Sequence, residues 1–460
     1  MTATAAASAL GGGVAARAEN TGPYRAEFDR LAARRADEPA WLRAARGAAI
    51  ERFEALGFPG PREEDWRFTN VAPIARAAFR TAPPASRAAT AADVAAATFG
   101  PAAARIVFVD GHYAPELSAV DAAGPLRVAS LREALARDAE RLRPVLDREA
   151  AEQGPFAALN TALFADGALV HAPAGTATTE PLHVVFLASG SGSEPSAIYP
   201  RLVVLADRAS QLTVVESYVG GDGARYFTNA VTDVVAGEGA VVDHYKVQRE
   251  STSAFHVGRM TVRQGRAASI SSHSIALGSA LARNDVEQVF LAEGGDCTLN
   301  GLFLASGTQH LDTHTRLDHA QPHGTSRQLY KGVLDGKARG VFVGRVLVRK
   351  GASKTDAQQT NKNLLLSKEA LVDSLPQLEI LTDDVKCKHG STTGQLDPSA
   401  LFYLRSRGIS EAAARSLLVY AFASDVLGGV KVEALREGLE RYLQSRLPSP
   451  LGADPAGVER

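Results

Sequence analysis

The sequence predicts a mainly β protein with α-helical regions before and after the β core, and two patterns carry this prediction. From about residue 165 to 390, short runs of β-branched and apolar residues alternate with polar ones, between Gly, Asp and Ser. Alternation with a period of two is typical of strands. Before residue 160 and after residue 396, apolar residues recur every three or four positions, which indicates helices.

A weak internal repeat favours a β-helix over a β-sandwich. Short, numerous strands fit both architectures. However, similar turn-then-strand starts recur every 28 to 30 residues along the chain. Recurrence on this scale is typical of stacked coils, because one coil cannot bury its own apolar face and must pack against the next. The starts lie at Ala209–Leu212, Gly239–Val242, Ala267–Ile270 and Gly295–Thr298.

The chain before the β core is predicted to be mostly helical. Residues 24–56 have helical periodicity and are stopped by Gly57. Residues 105–109, RIVFV, predict a short strand, and residues 128–150 predict an amphipathic helix interrupted near Pro144. The Ala- and Gly-rich start lacks the basic and apolar regions of a secretory signal. It is predicted to be a disordered tail, with a transit peptide as the alternative.

Three helices are predicted after the β core. Asp397-Pro398 starts the first, since Pro is tolerated at the first helical position, and Gly408 stops it. Ser410 caps the second, which ends at Gly428-Gly429, and the third covers residues 430–447. The predicted segments are a tail over 1–22, a helical region over 23–160, the β core over 161–395, a helical domain over 396–446 and a tail over 447–460.

The middle C-terminal helix carries more apolar surface than a solvated helix needs. Two roles are open: it covers the end of the β core, or it docks a partner protein. Its apolar residues are Leu417, Leu418, Val419, Tyr420, Phe422 and Val426.

The composition of the chain argues against several classes of protein. Lys and Arg total 50 and Asp and Glu total 51, so the net charge of −1 argues against a general nucleic-acid or anionic-membrane binder. Two cysteines cannot form a disulfide framework, which favours the reducing cytoplasm. No run of about 18 apolar residues predicts a membrane span.

Cys387 and His389 form a candidate site for a transition metal or an iron–sulfur species. Positions i and i+2 of a strand face the same side, so the thiol and the imidazole project together. Asp383 would share that face and could orient the imidazole. The alternative is a buried strand whose cysteine only packs. Cys297 is predicted to be a buried structural thiol.

A histidine-rich patch is a second candidate metal site. Zinc requires three or four ligands, and two pairs of histidines here are four residues apart. The alternative is that these residues are the polar faces and turns of β coils. The patch contains His310, His314, His319 and His323, with Asp312 and Asp318 as possible carboxylate ligands.

Catalytic and nucleotide sites are not predicted. The segment closest to a phosphate-binding loop, Gly332–Ala338, has the wrong spacing and no hydroxyl residue after its lysine, so the chain should not hydrolyse ATP. No G-x-S-x-G elbow occurs. A carbohydrate-active β-helix enzyme would need an aromatic-lined groove, and aromatics are only 6% of the chain.

Three sequence blocks resemble the SufB/SufD family of iron–sulfur cluster assembly proteins. They are SKTDAQQTNKNLLLS (353–367), TDDVKCKHGSTTGQLD (382–397) and FYLRSRGI (402–409). The resemblance covers nearly everything after residue 22. The absence of cysteine before Cys297 and the EEDWRFTN segment from Glu63 resemble SufD members rather than SufB members. Position 324 is Gly where many relatives have Cys.

The resemblance implies a right-handed parallel β-helix and a non-catalytic scaffold subunit of the SufBCD complex. SufB would pair through the end of the β-helix, and the ATPase SufC would dock on the C-terminal helices. No tightly bound cofactor is implied for the chain alone. A transient iron or iron–sulfur cluster would lie at the SufB interface, with His389 as the first ligand and Cys387 as a weaker one.

The resemblance also implies which residues dock SufC, and it leaves alternatives open. The chain could be the related scaffold subunit SufB, a zinc protein using the His310–His323 patch, or a homodimer when isolated. The implied docking residues are Phe402, Leu404, Arg405, Arg407, Gly408, Leu418 and Tyr420.

Overall fold

The computed structural model describes residues 20–77, 79–83, 89–121, 123–147, 154–190 and 195–447. Most of both predicted tails lies outside these residues, although helix begins at residue 20. The described helices are α1 (20–32), α2 (Ala40–Leu56), α3 (Ala72–Ala77), α4 (Ala91–Ala97), α5 (Leu131–Leu146), α6 (Pro155–Leu163), α7 (Pro398–Ser406), α8 (Glu411–Leu427) and α9 (Glu433–Arg446).

The strands build a parallel β-solenoid, which confirms the predicted mainly β fold with helices on both sides. The first strands are β1 (Arg80–Thr81), β2 (Ala104–Val109), β3 (His112–Tyr113), β4 (Arg127–Ser130), β5 (Ala168–Ala172), β6 (Leu182–Ala188), β7 (Ser196–Ile198) and β8 (Arg201–Ala206). The middle strands are β9 (Gln211–Gly220), β10 (Tyr226–Ala236), β11 (Val241–Arg249), β12 (Phe255–Gln264), β13 (Ser269–Ala276), β14 (Leu281–Phe290) and β15 (Asp296–Ala305). The last strands are β16 (His310–His319), β17 (Thr325–Leu334), β18 (Arg339–Val348), β19 (Asp356–Leu365), β20 (Leu371–Ile380) and β21 (Lys386–Gly394).

Consecutive strands of the solenoid alternate between two sheets. Sheet A stacks β8, β10, β12, β14, β16, β18 and β20, and sheet B stacks β9, β11, β13, β15, β17, β19 and β21. In sheet B, Gln211 pairs with Val241, which pairs with Ser269, which pairs with Asp296. The steps are 30, 28 and 27 residues, so the repeat seen in the sequence is the coil of the solenoid.

One corner of each coil explains why the repeat is visible in the sequence. The chain turns from sheet A to sheet B through one residue in the left-handed region, where glycine is strain-free and other residues are disfavoured. The six successive residues are Ala209, Gly239, Ala267, Gly294, His323 and Lys354, with φ between 51° and 74°. The predicted strand starts all lie at this corner.

The interior is filled by complementary layers of side chains. Phe108, Phe186 and Tyr218 belong to successive coils and stack with ring centroids 5.2 and 5.1 Å apart. Further along, Tyr330 occupies the space beside Gly301 on the neighbouring strand. Apolar packing therefore continues from the first coils towards the last ones.

Helices cover the outer faces of the two sheets. α2 and α6 pack with apolar residues of sheet A, including Phe227 and Val257. α8 and α9 pack on sheet B, where Tyr245 and Ile275 contact a cluster containing Val426. The interpretation that the middle C-terminal helix covers the end of the β core is therefore wrong, because that helix lies along a face. No described helix is long and apolar enough to span a membrane.

Most of the predicted helix and strand boundaries are confirmed, and three features of the segment before residue 160 differ from the prediction. The predicted strand 105–109 is β2, and the Asp397 and Ser410 side chains cap α7 and α8. The predicted helix 24–56 is instead two helices separated before Ala40. In α5 the non-helical residue is Asp138 rather than Pro144. The segment before residue 160 also contributes β2 to sheet B and β4 to sheet A.

We expect Gly301→Ala to destabilise the solenoid by about 1–3 kcal/mol, because overpacking a dense core forces strain. A Cβ at this position would lie 2.2 Å from Tyr330 Cε1. Urea unfolding monitored by circular dichroism measures the change. The control is Gly390→Ala, a strand glycine of the same sheet with open space around it. Equal unfolding midpoints for both variants would contradict the packing argument.

Candidate functional site: the open end of the solenoid

The solenoid ends with a coil that no further described coil covers. Each of β20 and β21 pairs with one parallel strand only, so each leaves one backbone edge unpaired. Leu371, Ile380 and Leu381 are 51%, 41% and 53% exposed on or next to β20. Exposed apolar residues beside free strand edges are typical of protein interfaces.

Cys387 and His389 share one face of β21, as the strand alternation predicted, and it is the inner face of this last coil. On β21, Ser391 Oγ is 2.7 Å from Ser374 Oγ of β20, so Ser391 points towards the opposite sheet. Residues two and four positions earlier on a strand share its face. The thiol and the imidazole therefore point into the mouth of the solenoid.

The two side chains differ in exposure. Cys387 is half-buried against the core, and burial raises the pKa of its thiol. It must therefore lose a proton to bind a metal as a thiolate. His389 is exposed, and no described residue forms a hydrogen bond with its imidazole. The imidazole is the more accessible ligand at this end.

Asp383 does not lie on the strand. β21 begins at Lys386, and Asp383 is an exposed residue in the bend between β20 and β21. The expectation that strand alternation places it beside His389 therefore does not apply. Its neighbour Asp384 forms an ion pair of 2.6 Å with Lys354, which ties this corner to the preceding coil.

Buried amides form the floor beneath the site. β19 lies within the SKTDAQQTNKNLLLS block, and its inward residues Gln359, Asn361 and Asn363 are all buried. Asn363 Nδ2 donates to Asn361 Oδ1 at 2.6 Å, and Gln359 Nε2 donates to Gln328 Oε1 at 3.3 Å. Neutral amides thus lie beneath β21, and apolar Leu378 and Val385 pack against the core at the same end.

A second exposed surface lies on α7. None of its residues is buried, and Phe402 and Tyr403 are 74% and 58% exposed. Sequence reasoning did not single out Tyr403, although it directly follows Phe402. Of the predicted docking residues, Phe402, Arg405, Arg407 and Gly408 are exposed, and Leu404, Leu418 and Tyr420 are half-buried.

Comparison with known proteins places the chain, including the segments that form both surfaces, in one family. The family model of the SUF system FeS cluster assembly SufBD core domain matches residues 186–422. The model of the SufBD protein N-terminal region matches residues 24–184. The chain belongs to the SufBD family. The SufBD core match includes the open coil, α7 and most of α8.

Individual SufBD relatives align over most of their length. An iron–sulfur cluster assembly SufBD family protein of Synechocystis is 34% identical over 87% of this chain and 90% of its own. The iron–sulfur cluster assembly protein SufD of Escherichia coli is 32% identical over 87% and 92%. SufD of Bacillus subtilis is 25% identical over 89% and 95%. The chain is therefore an iron–sulfur cluster assembly protein with SufD homologues.

The histidine patch considered as a candidate metal site is distributed over three environments. His310 and His314 are on the outer side of sheet A, bonded to Thr69 and Asp312 at 2.8 and 3.1 Å. His319 points inside and stacks on Phe290, and His323 is the left-handed corner residue. The patch is therefore not assembled as one metal site, and the structure agrees with the alternative that these residues belong to the faces and turns of β coils. Among the described residues, no group of three or more His, Cys, Asp or Glu could hold a metal ion.

Sequence reasoning missed a buried ionic cluster in the earlier coils. Glu216 Oε2 is 2.9 Å from His244 Nε2, and His244 Nδ1 is 3.0 Å from Ser272 Oγ. Burial would raise the pKa of Glu216, but His244, Lys246 and Tyr218 lower it to about 2. This order of carboxylate, imidazole and hydroxyl resembles a hydrolytic triad. All three are buried between the sheets, so a substrate cannot reach the hydroxyl without opening a coil.

The buried His319 predicts a loss of stability in acid. Burial lowers its pKa to about 4, outweighing the smaller opposite effect of Asp318, whereas an unfolded histidine has a pKa of about 6.5. The unfolded chain therefore binds this proton first, and stability falls as the pH drops from about 6.5 to 4. One such group contributes up to about 1.4 kcal/mol per pH unit.

His319→Phe keeps the ring contact with Phe290 and removes the titration. We expect its unfolding free energy, measured in urea between pH 7 and 4, to fall less steeply than that of the wild type. Some slope remains, because burial also lowers the pKa of His183 and His273 to about 4. Identical slopes for the two proteins would show that His319 does not carry this effect.

Proposed function

We propose that this chain is a SufD-type, non-catalytic scaffold subunit that pairs with a SufB-type subunit through the open end of its solenoid. The observation that carries the proposal is the uncovered last coil, which places His389 beside exposed apolar residues and free strand edges. The names of the Escherichia coli and Bacillus subtilis relatives favour SufD over the SufB alternative. A second copy of the chain would occupy the same end when the partner is absent.

The proposed substrate of this interface is nascent iron or an iron–sulfur cluster. This end of the described chain offers one exposed imidazole, on His389, and one half-buried thiol, on Cys387. Iron in such clusters takes four ligands at each metal, so the partner must supply the rest. An imidazole is a borderline ligand for Fe(II), more readily released than a thiolate, which suits a site that transfers its cluster.

ATP hydrolysis is assigned to a separate SufC-type subunit that docks at α7. The exposed aromatic pair Phe402 and Tyr403 supports this surface. α8 connects it to the solenoid, because the buried Lys331 of β17 bonds Asp425 at 2.5 Å and the Phe422 carbonyl at 2.7 Å. A movement of α7 would be passed through α8 to the strands near the open end. Two free thiols, Cys297 and Cys387, support assignment of this assembly to the cytoplasm.

His389→Ala is expected to lower iron–sulfur enzyme maturation in cells at least about tenfold, because loss of a ligand weakens a metal site by more than loss of its supporting residue. The measurement is the activity of a reporter iron–sulfur enzyme in cells that depend on this chain. Lys388→Ala is the matched control, since Lys388 is on the opposite face of the same strand. If the His389→Ala chain forms an intact complex and still supports full maturation of the reporter enzyme, His389 is not a ligand of the cluster.

Phe402→Asp is expected to abolish co-purification of the ATPase, because a charge cannot enter an apolar contact. A point variant is preferable to deleting the helices, which would uncover the apolar outer face of sheet B. Leu291→Asp is the control, because Leu291 is also an exposed apolar residue but follows β14 of sheet A, whereas α7 packs on α8. Retention of the ATPase by Phe402→Asp would place the docking surface elsewhere.

A further inference from the structure

A line of hydrogen-bonding side chains runs through the interior of the last coils and ends beneath His389. Thr315 Oγ1 donates to Gln328 Oε1 at 3.0 Å, and Gln359 Nε2 donates to the same oxygen at 3.3 Å. Gln328, Gln359 and His389 occupy the same register position on β17, β19 and β21. The imidazole is therefore the next side chain in this line.

The bond to Gln328 leaves one end of the Gln359 amide free. Gln328 Oε1 accepts from Gln359, so the nitrogen of the Gln359 amide points to the preceding coil. Its oxygen, Oε1, is buried and has no hydrogen-bond partner among the described residues. Leaving a buried acceptor without a partner costs roughly 1–3 kcal/mol of folding stability. Gln359 Oε1 can therefore accept a hydrogen bond from an N–H donor.

The fold reserves space for this amide. Gly344 on β18 faces Gln359 across the interior, and a Cβ there would lie 2.2 Å from Gln359 Nε2 and 2.9 Å from Oε1. Paired strands are about 4.8 Å apart, so a histidine ring at the next register position lies within reach of Oε1. Gly344 thus leaves room for the amide beneath His389.

We propose that Gln359 is the positioning residue of the cluster site, and this inference rests on the proposed function of His389. Gln359 Oε1 accepts the N–H of one ring nitrogen of His389, so that the other nitrogen faces the partner subunit with its lone pair free. Metal-binding histidines generally donate their second ring nitrogen to an oxygen acceptor, which fixes the tautomer and the ring orientation.

The test is the histidine ring ¹⁵N spectrum of the full-length chain at one fixed pH, with the His389 signals identified by their loss in His389→Ala. We expect one dominant tautomer in the wild type and in Gln359→Glu, whose carboxylate is a stronger acceptor. Gln359→Leu removes the acceptor and Gly344→Ala displaces it, so both should show mixed tautomers. Asn363→Ala is the control, because it removes a buried amide of the same strand that pairs at a different position.

Maturation in cells gives the second readout. We expect Gln359→Leu to lower it about 10- to 100-fold and Gln359→Glu to restore it. A purely structural role would rank the variants the other way, since Glu buries a charge and Leu does not. The same tautomer in the wild type and Gln359→Leu would overturn the inference. Normal maturation by His389→Ala alongside a tautomer change in Gln359→Leu would instead overturn the proposed function alone.

Discussion

The structure depends on one constraint: the inner face of each parallel coil must be covered by the next coil. At the start of the solenoid, β2 and the segment before β4 satisfy it, because Ile106, Phe108 and Leu126 join the interior core. At the other end the chain turns away into α7, and no further described coil covers the free edges of β20 and β21. The exposed apolar residues, the free strand edges and the accessible His389 all follow from this single feature. The surface needs another protein for the same reason that each coil needs the next.

The solenoid could be predicted because its signals are local. Alternating side chains and the left-handed corner residue recur in each coil, so the starts of β9, β11, β13 and β15 were located almost to the residue. Two features could not be predicted this way. β2 joins sheet B by pairing with β6, more than 70 residues later, and nothing in its own sequence specifies that partner. α5 tolerates Pro144 but bends at Asp138, where the chain context overrides the propensity of a single residue.

The same local rule explains why one candidate site was predicted correctly in its geometry and the other was not. Cys387 and His389 are two residues apart within one strand, so their shared face follows from alternation. His314 and His319 are five apart, an odd separation that places them on opposite faces of β16. β16 ends at His319, so His323 lies in the corner. Strand alternation therefore does not apply to the four-residue spacing between His319 and His323. Asp383 fails in the same way, because it lies before the first residue of β21.

The interior polarity differs between the two parts of the solenoid, and the difference suits a reversible interface. The earlier coils bury formal charges, among them Glu216, Glu250 and Lys246, which are sealed by coils on both sides. The last coils bury neutral amides, such as Gln359 and Asn363. A buried charge that loses its partner costs several kcal/mol, whereas an amide that exchanges a protein partner for water changes little. An end lined by amides can therefore be covered by a partner and uncovered again without leaving an unpaired charge, while the charged coils stay closed.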